Sequence, residues 1–224
     1  MTKALIAVRS GSVRVKNKNM RPFAKKTLLE YKIEQLKRLS CLDGIVVNSN
    51  DIEMLALSAS LGCETIMREE RFASSNVSMS EVYINMAENF PGDIIVYSNV
   101  TNPLIKDETI KQAVEMFLHN RDHIHSVNTA HVVKEFLYLD EKPLNYNPEN
   151  QPRSQDLPDI YALNFAINVI AREDMIRYAN VIAPSHHLLA VTETEAVDID
   201  SMLDFRVAEY LFEMLKDELG YHLV

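Results

Sequence analysis

Two groups of side chains in this sequence have the types and spacing to do chemistry on phosphates, and they lie at opposite ends of the chain. The first is the basic run Arg9-Ser10-Gly11-Ser12-Val13-Arg14-Val15-Lys16-Asn17-Lys18-Asn19, directly after the apolar stretch Ala4–Val8. Met1–Leu29 holds eight Lys and Arg and no Asp or Glu, whereas the remainder carries fifteen basic against thirty-two acidic residues. A Gly/Ser-containing loop at the end of a buried strand can turn backbone N–H groups and cationic heads onto oxygen anions. The same run is also compatible with a plain turn whose charges are solvated. The second group is Asp198-Ile199-Asp200. In an extended strand, residues i and i+2 share a face about 7 Å apart, so both carboxylates would point the same way. Mg²⁺ takes a few carboxylates and completes its shell with phosphate oxygens and water, which suits such a pair beside a phosphate cleft. The alternative is a strand end whose Asp200 supports the positive end of the next helix.

The elements that must position these groups alternate. Ala4–Val8 reads as a buried strand, followed by Leu28, Leu29, Ile33, Leu36 and Leu39 at helical spacing. Gly44–Ser49 is a second strand, with Asp51 as N-cap of a helix ending at Gly62, and Cys63–Met67 a third. Ser78 or Ser80 starts a helix that stops at Pro91-Gly92, Asp93–Tyr97 is a fourth strand, and a helix spans Asp107–Leu118. This order predicts an α/β fold of three layers, a mostly parallel sheet with helices on both faces and ligands at the carboxyl ends of the strands. Arg9, Asn48 and Asn99 fall at such ends. The stretch 135–158 carries four of the eight prolines and few apolar residues, so it reads as an excursion from the core. Leu163–Ile170 resumes a strand, Arg172–Tyr178 forms a short helix, and Ser201–Leu219 a long one with Leu203, Val207, Leu211 and Leu215 on its apolar stripe.

Composition narrows the function class. At 224 residues and 47% hydrophobic, one domain covering 1–224 is expected. The net charge of −9 argues against nucleic acid, because counterion release needs a broad basic surface and here the positive field is local. Two cysteines, Cys41 and Cys63, make no disulfide framework or C-x-x-C pair and point to a reducing cytoplasm. No apolar run approaches the ~20 residues of a membrane span, so no membrane partner is expected. The histidines show no ligand spacing, with His186-His187 read as a surface or pocket pair, and no nucleophile has a visible base partner.

Arg9-x-x-Ser12 with Lys18-Asn19 resembles the N-terminal signature A-R-x-x-S-K-x-x-x-x-K-N of the acylneuraminate cytidylyltransferase (CMP-sialic acid synthetase) family. Further matches follow in order from residue 4 to about 210. Arg68 with Phe72-Ala73-Ser74-Ser75 and Ser78 is similar to R-x-x-x-L-A-x-D-x-x-S, with Ser75 in place of the acid. Lys134 and Arg153 resemble two basic residues that face an acceptor carboxylate, Asn164 stands in the place of N-G-A-I, and Val197–Asp200 matches the family's D-x-D. The resemblance implies a Rossmann-like nucleotidyltransferase that moves CMP from CTP to an acidic sugar with Mg²⁺. It implies Arg9, Lys18 and Asp200 as catalytic groups and Arg9, Ser12, Lys18, Asn19, Arg68 and Ser78 as nucleotide contacts. Asn99, Lys134, Arg153 and Asn164 would meet the acceptor, Asp198 and Asp200 would hold the metal, and residues 133–158 would form a homodimerisation arm.

Departures gather on the acceptor side. Val13 replaces a phosphate-contacting Lys, for which Arg14 or Lys16 can substitute. Q-P-T-S-P-L-R appears as Asn99–Ile105, and family aromatics correspond to Asn168 and Asn180-Val181. Loss of such walls predicts an anionic acceptor other than N-acetylneuraminate: another nonulosonic or ulosonic acid, with a small phosphonate as the alternative. The rival classes are a D-x-D glycosyltransferase and a catalytically silent nucleotide-binding subunit.

Overall fold

The computed structural model describes residues 1–12, 14–74 and 76–221; Val13 and Ser75, two of the departures above, lie outside the described residues. A seven-stranded sheet forms its middle layer. Its strands are β1 (Thr2–Ala7), β4 (Gly44–Ser49), β5 (Glu64–Met67), β6 (Ile94–Ser98), β7 (Ser126–Val133), β10 (Ile160–Ala171) and β11 (His186–Ala190), in the spatial order β11-β7-β10-β6-β1-β4-β5. β10 runs antiparallel to both neighbours and the other pairings are parallel. The small hairpin of β2 (Pro22–Phe23) and β3 (Lys26–Thr27) follows the basic loop.

Alternation along β1 builds two cores. Ala4 and Ile6 face one side, against α1 (Leu28–Lys37), α2 (Ile52–Ser60), α5 (Asp107–His119) and α7 (Met202–Leu215). Leu5 faces the other, where α4 (Met79–Glu88) and α6 (Arg172–Tyr178) pack, with the short α3 (Glu70–Ala73) beside them. Side-chain caps start four of the helices: Thr27 for α1, Asp51 for α2, Ser78 for α4 and Ser201 for α7. Each such cap contributes about 1 kcal/mol.

Two readings of the sequence need correction. The apolar stripe of α7 is not Leu203/Val207: these are 71% and 43% exposed, while Phe205, Ala208 and Phe212 are buried. Phe205 and Phe212 stack edge-on against Phe23, and Phe212 also meets Tyr31 and Tyr221, so the larger aromatic area turns the helix by about one residue. β7 and β11 are strands that no apolar run announces. β7 carries Ser126, Asn128 and Thr129 fully buried, and polar residues inside a central strand erase its hydrophobic signal. The excursion leaves the sheet after β7 and returns at β10; it carries the two-residue strands β8 (Tyr138–Leu139) and β9 (Lys142–Pro143) and exposes Tyr138, Leu139 and Leu144.

Candidate active site

β1 and β6 are central and adjacent, so their carboxyl ends open at one place. There a cleft of about 280 Å³ is lined by Arg9, Gly11, Ser12, Arg14, Lys18 and Asn19 from the basic loop, by Asn99, Val100 and Thr101 after β6, and by Asp200. Gly11 holds φ +80° with open space around it, a backbone state that L side chains rarely adopt. Asn19 is buried and its amide donates to the Arg9 carbonyl at 3.1 Å, closing the loop on itself.

The acidic pair arrives from the other end of the chain. Val197–Asp200 forms no strand, so the expected strand is absent, yet the alternation survives: Ile199 is fully buried and the carboxylates on either side reach solvent. Ile199 N–H donates to the Thr101 carbonyl at 3.0 Å, and the Thr101 hydroxyl donates to Asp198. Lys18 donates to the Ile199 carbonyl and lies 3.8 Å from Asp200, which Arg14 meets at 2.9 Å. Burial pushes the Lys18 ammonium below its ordinary value, against the pull of Asp198 and Asp200. Burial lifts the Asp198 carboxyl above its ordinary value, and the Asp200 charge adds to that. Two carboxylates two residues apart beside a cationic loop form an oxygen donor set suited to a hard divalent cation. No group of three or more His, Cys, Asp or Glu among the described residues makes a complete protein cage, so the remaining ligands would come from substrate and water.

A second cavity, about 360 Å³, adjoins the first at Arg9 and is lined by Arg68, Phe72, Ala73, Met86 and Tyr97 among others. Arg9 is fixed there by donating to the Ala73 carbonyl at 2.7 Å. Arg68, 6% exposed, donates to the Asn48 side chain at 2.5 Å and to its carbonyl at 3.0 Å. A partly apolar slot with one braced guanidinium, beside a phosphate cleft, has the shape of a nucleoside site. Ser78 lines neither cavity; its hydroxyl and the Glu81 carboxylate form the capping box of α4.

The acceptor set divides. Asn99 lines the phosphate cleft and donates to the Phe165 carbonyl at 3.1 Å. That carbonyl belongs to an irregularity of β10 between Leu163 and Asn168, where Phe165 holds φ 54°. Such a bulge re-aims side chains. Asn164 sits in it, its oxygen held by Thr129 at 2.7 Å, while its buried Nδ2 has no partner. Lys134 lines a separate cavity with His131 and Glu193, bonded to the Leu157 carbonyl and to Asp159 at 2.5 Å. Arg153 stays on the exposed excursion, paired with Asp156 at 2.8 Å, and lines none of these cavities.

The expectation of a lost aromatic wall is also corrected. Asn168 and Val181 are fully buried, and Asn128 donates to both the Asn168 side chain (2.8 Å) and the Val181 carbonyl (2.9 Å). Position 168 therefore belongs to a polar clasp inside the sheet, not to the lining of an open pocket. Thr101 and Arg14 complete the site although sequence reasoning assigned them no firm role; Thr101 stands in the segment after the fourth strand, where a cleft residue is expected.

The sequence profile of the cytidylyltransferase family matches residues 3–215. The chain belongs to this family. It is a CTP-using nucleotidyltransferase, and the family assignment displaces the glycosyltransferase and silent-subunit readings. It is 24% identical over 221 residues to a pseudaminic acid cytidylyltransferase of Campylobacter jejuni, covering 94% of this chain and 95% of that one. It is 26% identical over 238 residues to a CMP-N,N'-diacetyllegionaminic acid synthase of Legionella pneumophila, covering 96% and 98%. In fold it is similar to a CMP:2-keto-3-deoxy-manno-octonic acid synthetase complexed with CTP, with TM-score 0.69, 13% identity and coverage of 96% and 99%. No described helix of this cytidylyltransferase is long and apolar enough to cross a membrane.

Proposed function

We propose that this cytidylyltransferase transfers CMP from CTP to a hydroxyl of a nonulosonic acid, in the reducing cytoplasm where Cys41 and Cys63 stay free. The observation that carries the reading is the meeting, in one cleft, of Arg9, Arg14 and Lys18 of the basic loop with Asp200, whose neighbour Asp198 is held by the cleft residue Thr101. The acceptor oxygen forms a bond to the α-phosphorus, the bond from that phosphorus to the bridging oxygen breaks, and pyrophosphate leaves; the hydroxyl proton is lost to solvent. Arg9, Ser12 and Lys18 hold the triphosphate and the departing charge, because this transfer is driven by positioning and electrostatics. Asn19 and Arg68 hold the nucleoside side. Asp198 and Asp200 would hold Mg²⁺, which when bound supplies charge neutralisation and lowers the pKa of the attacking hydroxyl. Asn99, which lines the cleft, and Asn164, whose amide is unpartnered in the β10 irregularity that Asn99 bonds, are the acceptor contacts in this reading.

Nonulosonate relatives covering nearly the whole chain support the acceptor class. The test is pyrophosphate release from CTP and Mg²⁺ against pseudaminic, legionaminic, N-acetylneuraminic and 3-deoxy-octulosonic acids and simple phosphonates. A di-N-acylated nonulosonate should give the highest kcat/KM; a highest value with a phosphonate or an octulosonate overturns the acceptor class.

The excursion is proposed as a dimer arm. Tyr138, Leu139 and Leu144 are each more than half exposed, and Tyr161 and Leu163 of β10 are exposed as well, apolar area whose burial against a second copy is favourable. Sedimentation velocity at micromolar concentration should show a dimer that Leu139→Asp/Leu144→Asp converts to monomer; a monomeric parent protein removes the arm assignment.

A further inference from the structure

Lys32 lies on the sheet-facing side of α1, 2% exposed, and no step of the transfer uses it. Its ammonium donates to the Asn102 carbonyl at 3.1 Å and to Gln35 at 2.8 Å. Gln35, also buried, donates to the Ile105 carbonyl at 2.6 Å and to Asp107 at 3.1 Å, and Arg38 grips the same carboxylate through two N–H groups at 3.1 Å. The loop between β6 and α5 is thus tied from below at residues 102 and 105.

The upper side of that loop holds the acidic segment. Thr101 accepts from Ile199 N–H and bonds the Asp198 carboxylate, and the Asn102 amide donates to the Val197 carbonyl at 3.2 Å. A single residue therefore separates the Lys32 ammonium from Val197–Asp200. That segment has no strand partner, so these bonds, with Lys18 on the Ile199 carbonyl, set where its carboxylates stand. A buried ammonium is a costly way to fill a core, and an apolar side chain of equal length would fill the space more cheaply.

We propose that Lys32 is a positioning residue for the Asp198/Asp200 pair, acting through the Asn102 carbonyl and the loop that carries Thr101. The inference rests on the reading of that pair as the metal-holding group. Groups that orient metal ligands without touching the metal typically change metal affinity or turnover by about 10–100-fold when removed.

The test compares wild type, Lys32→Met, Asn102→Ala and the double variant. Lys32→Met should stay folded with a Tm at pH 7 within a few degrees of wild type, because the gain from replacing a buried cation by an apolar chain of similar length offsets the loss of a donor to the Asn102 carbonyl and Gln35. Burial lowers Lys32 from its ordinary 10.5 to about 7, under the opposing influences of Asp107 and Arg38. Between those values the unfolded chain binds a proton that the folded chain does not, so this group raises stability as pH rises. Wild type should therefore gain about 5 °C more in Tm than Lys32→Met between pH 7 and pH 9.

Against that unchanged fold, Mn²⁺ binding in the presence of a non-hydrolysable CTP analogue, read by EPR of free Mn²⁺, should weaken roughly tenfold. The kcat for pyrophosphate release should fall by about 10–100-fold while KM for CTP stays within about twofold. Asn102→Ala should show the same split, and the double variant should be no worse than the worse single variant. Wild-type Mn²⁺ affinity and kcat in Lys32→Met overturn the positioning role, as does a loss in Asn102→Ala that merely follows a fall in Tm. If wild type binds no Mn²⁺ with the analogue, or Asp200→Asn does not weaken that binding, the metal reading fails and takes this inference with it.

Discussion

Asp200→Asn is expected to lower pyrophosphate release by about 10³-fold while CTP still binds. In the free protein Asp200 is already engaged by Arg14 at 2.9 Å and faces Lys18 at 3.8 Å, so its carboxylate competes with a triphosphate for two cations of the loop. Neutralising it frees both, and metal-free CTP binding should hold or tighten even as turnover collapses. Asp200 is half exposed and its Arg14 pair is more exposed still, so the fold should lose little, as for other surface pairs. Pyrophosphate release, calorimetric CTP binding without metal and Tm together check the outcome. Residual activity within about tenfold of wild type would make Asp200 a support for α7 and remove it from the chemistry.

Lys18→Met is the second large effect, with an expected loss of about 10²–10³-fold in kcat/KM for CTP. Lys18 is the cation that closes the circuit between the loop and the acidic segment, since it donates to the Ile199 carbonyl and lines the cleft. Its side chain is 16% exposed, so solvent screens it little, and a charge-assisted contact from such a group to a developing pyrophosphate is stronger than one from a solvated head. Lys18→Arg, which keeps the charge on a larger fork, should recover part of the loss. Steady-state kinetics in CTP decide: a change confined to less than threefold in Lys18→Met would show that Arg9 and Arg14 suffice.

The place of the cleft was legible because it opens where strands end. Arg9 follows β1 and Asn99 follows β6, and parallel strands that share a direction deliver their loops to one side, so order along the chain was enough to bring them together. The spacing of Asp198 and Asp200 was legible for the same reason: extended backbone alternates faces whether or not a sheet accepts it, and buried Ile199 enforces that alternation here.

Other features depended on contacts between distant residues. Which of two serines capped α4 was left open, and the hydroxyl of Ser78, matched to a nucleotide contact, is taken up by Glu81. α7 turns Phe205 and Phe212 inward because Phe23, Tyr31 and Tyr221 wait beneath it, a fact held in three other segments. β7 hides its strand character behind Ser126, Asn128 and Thr129, polar side chains satisfied by one another and by partners in β10 and around Val181–Ala183. Lys134 and Arg153 matched acceptor-binding positions by type, but Asp159 and Asp156 lie within reach of them in the folded chain.

Residue types and order along the chain were sufficient for the fold class and for two charged groups suited to phosphate, and the motifs' resemblance to a known family added the reaction class. Only the tertiary structure decided how Asp198 and Asp200 are held: by Thr101, Asn102 and Lys18, with Lys32 beneath the loop, none of them a neighbour of the pair in sequence. The physical reason is that a lone pair of carboxylates on an unpaired extended segment has no local structure to fix it. Hydrogen bonds to buried groups brought from elsewhere must do so, and those pairings follow from packing that no window of sequence contains.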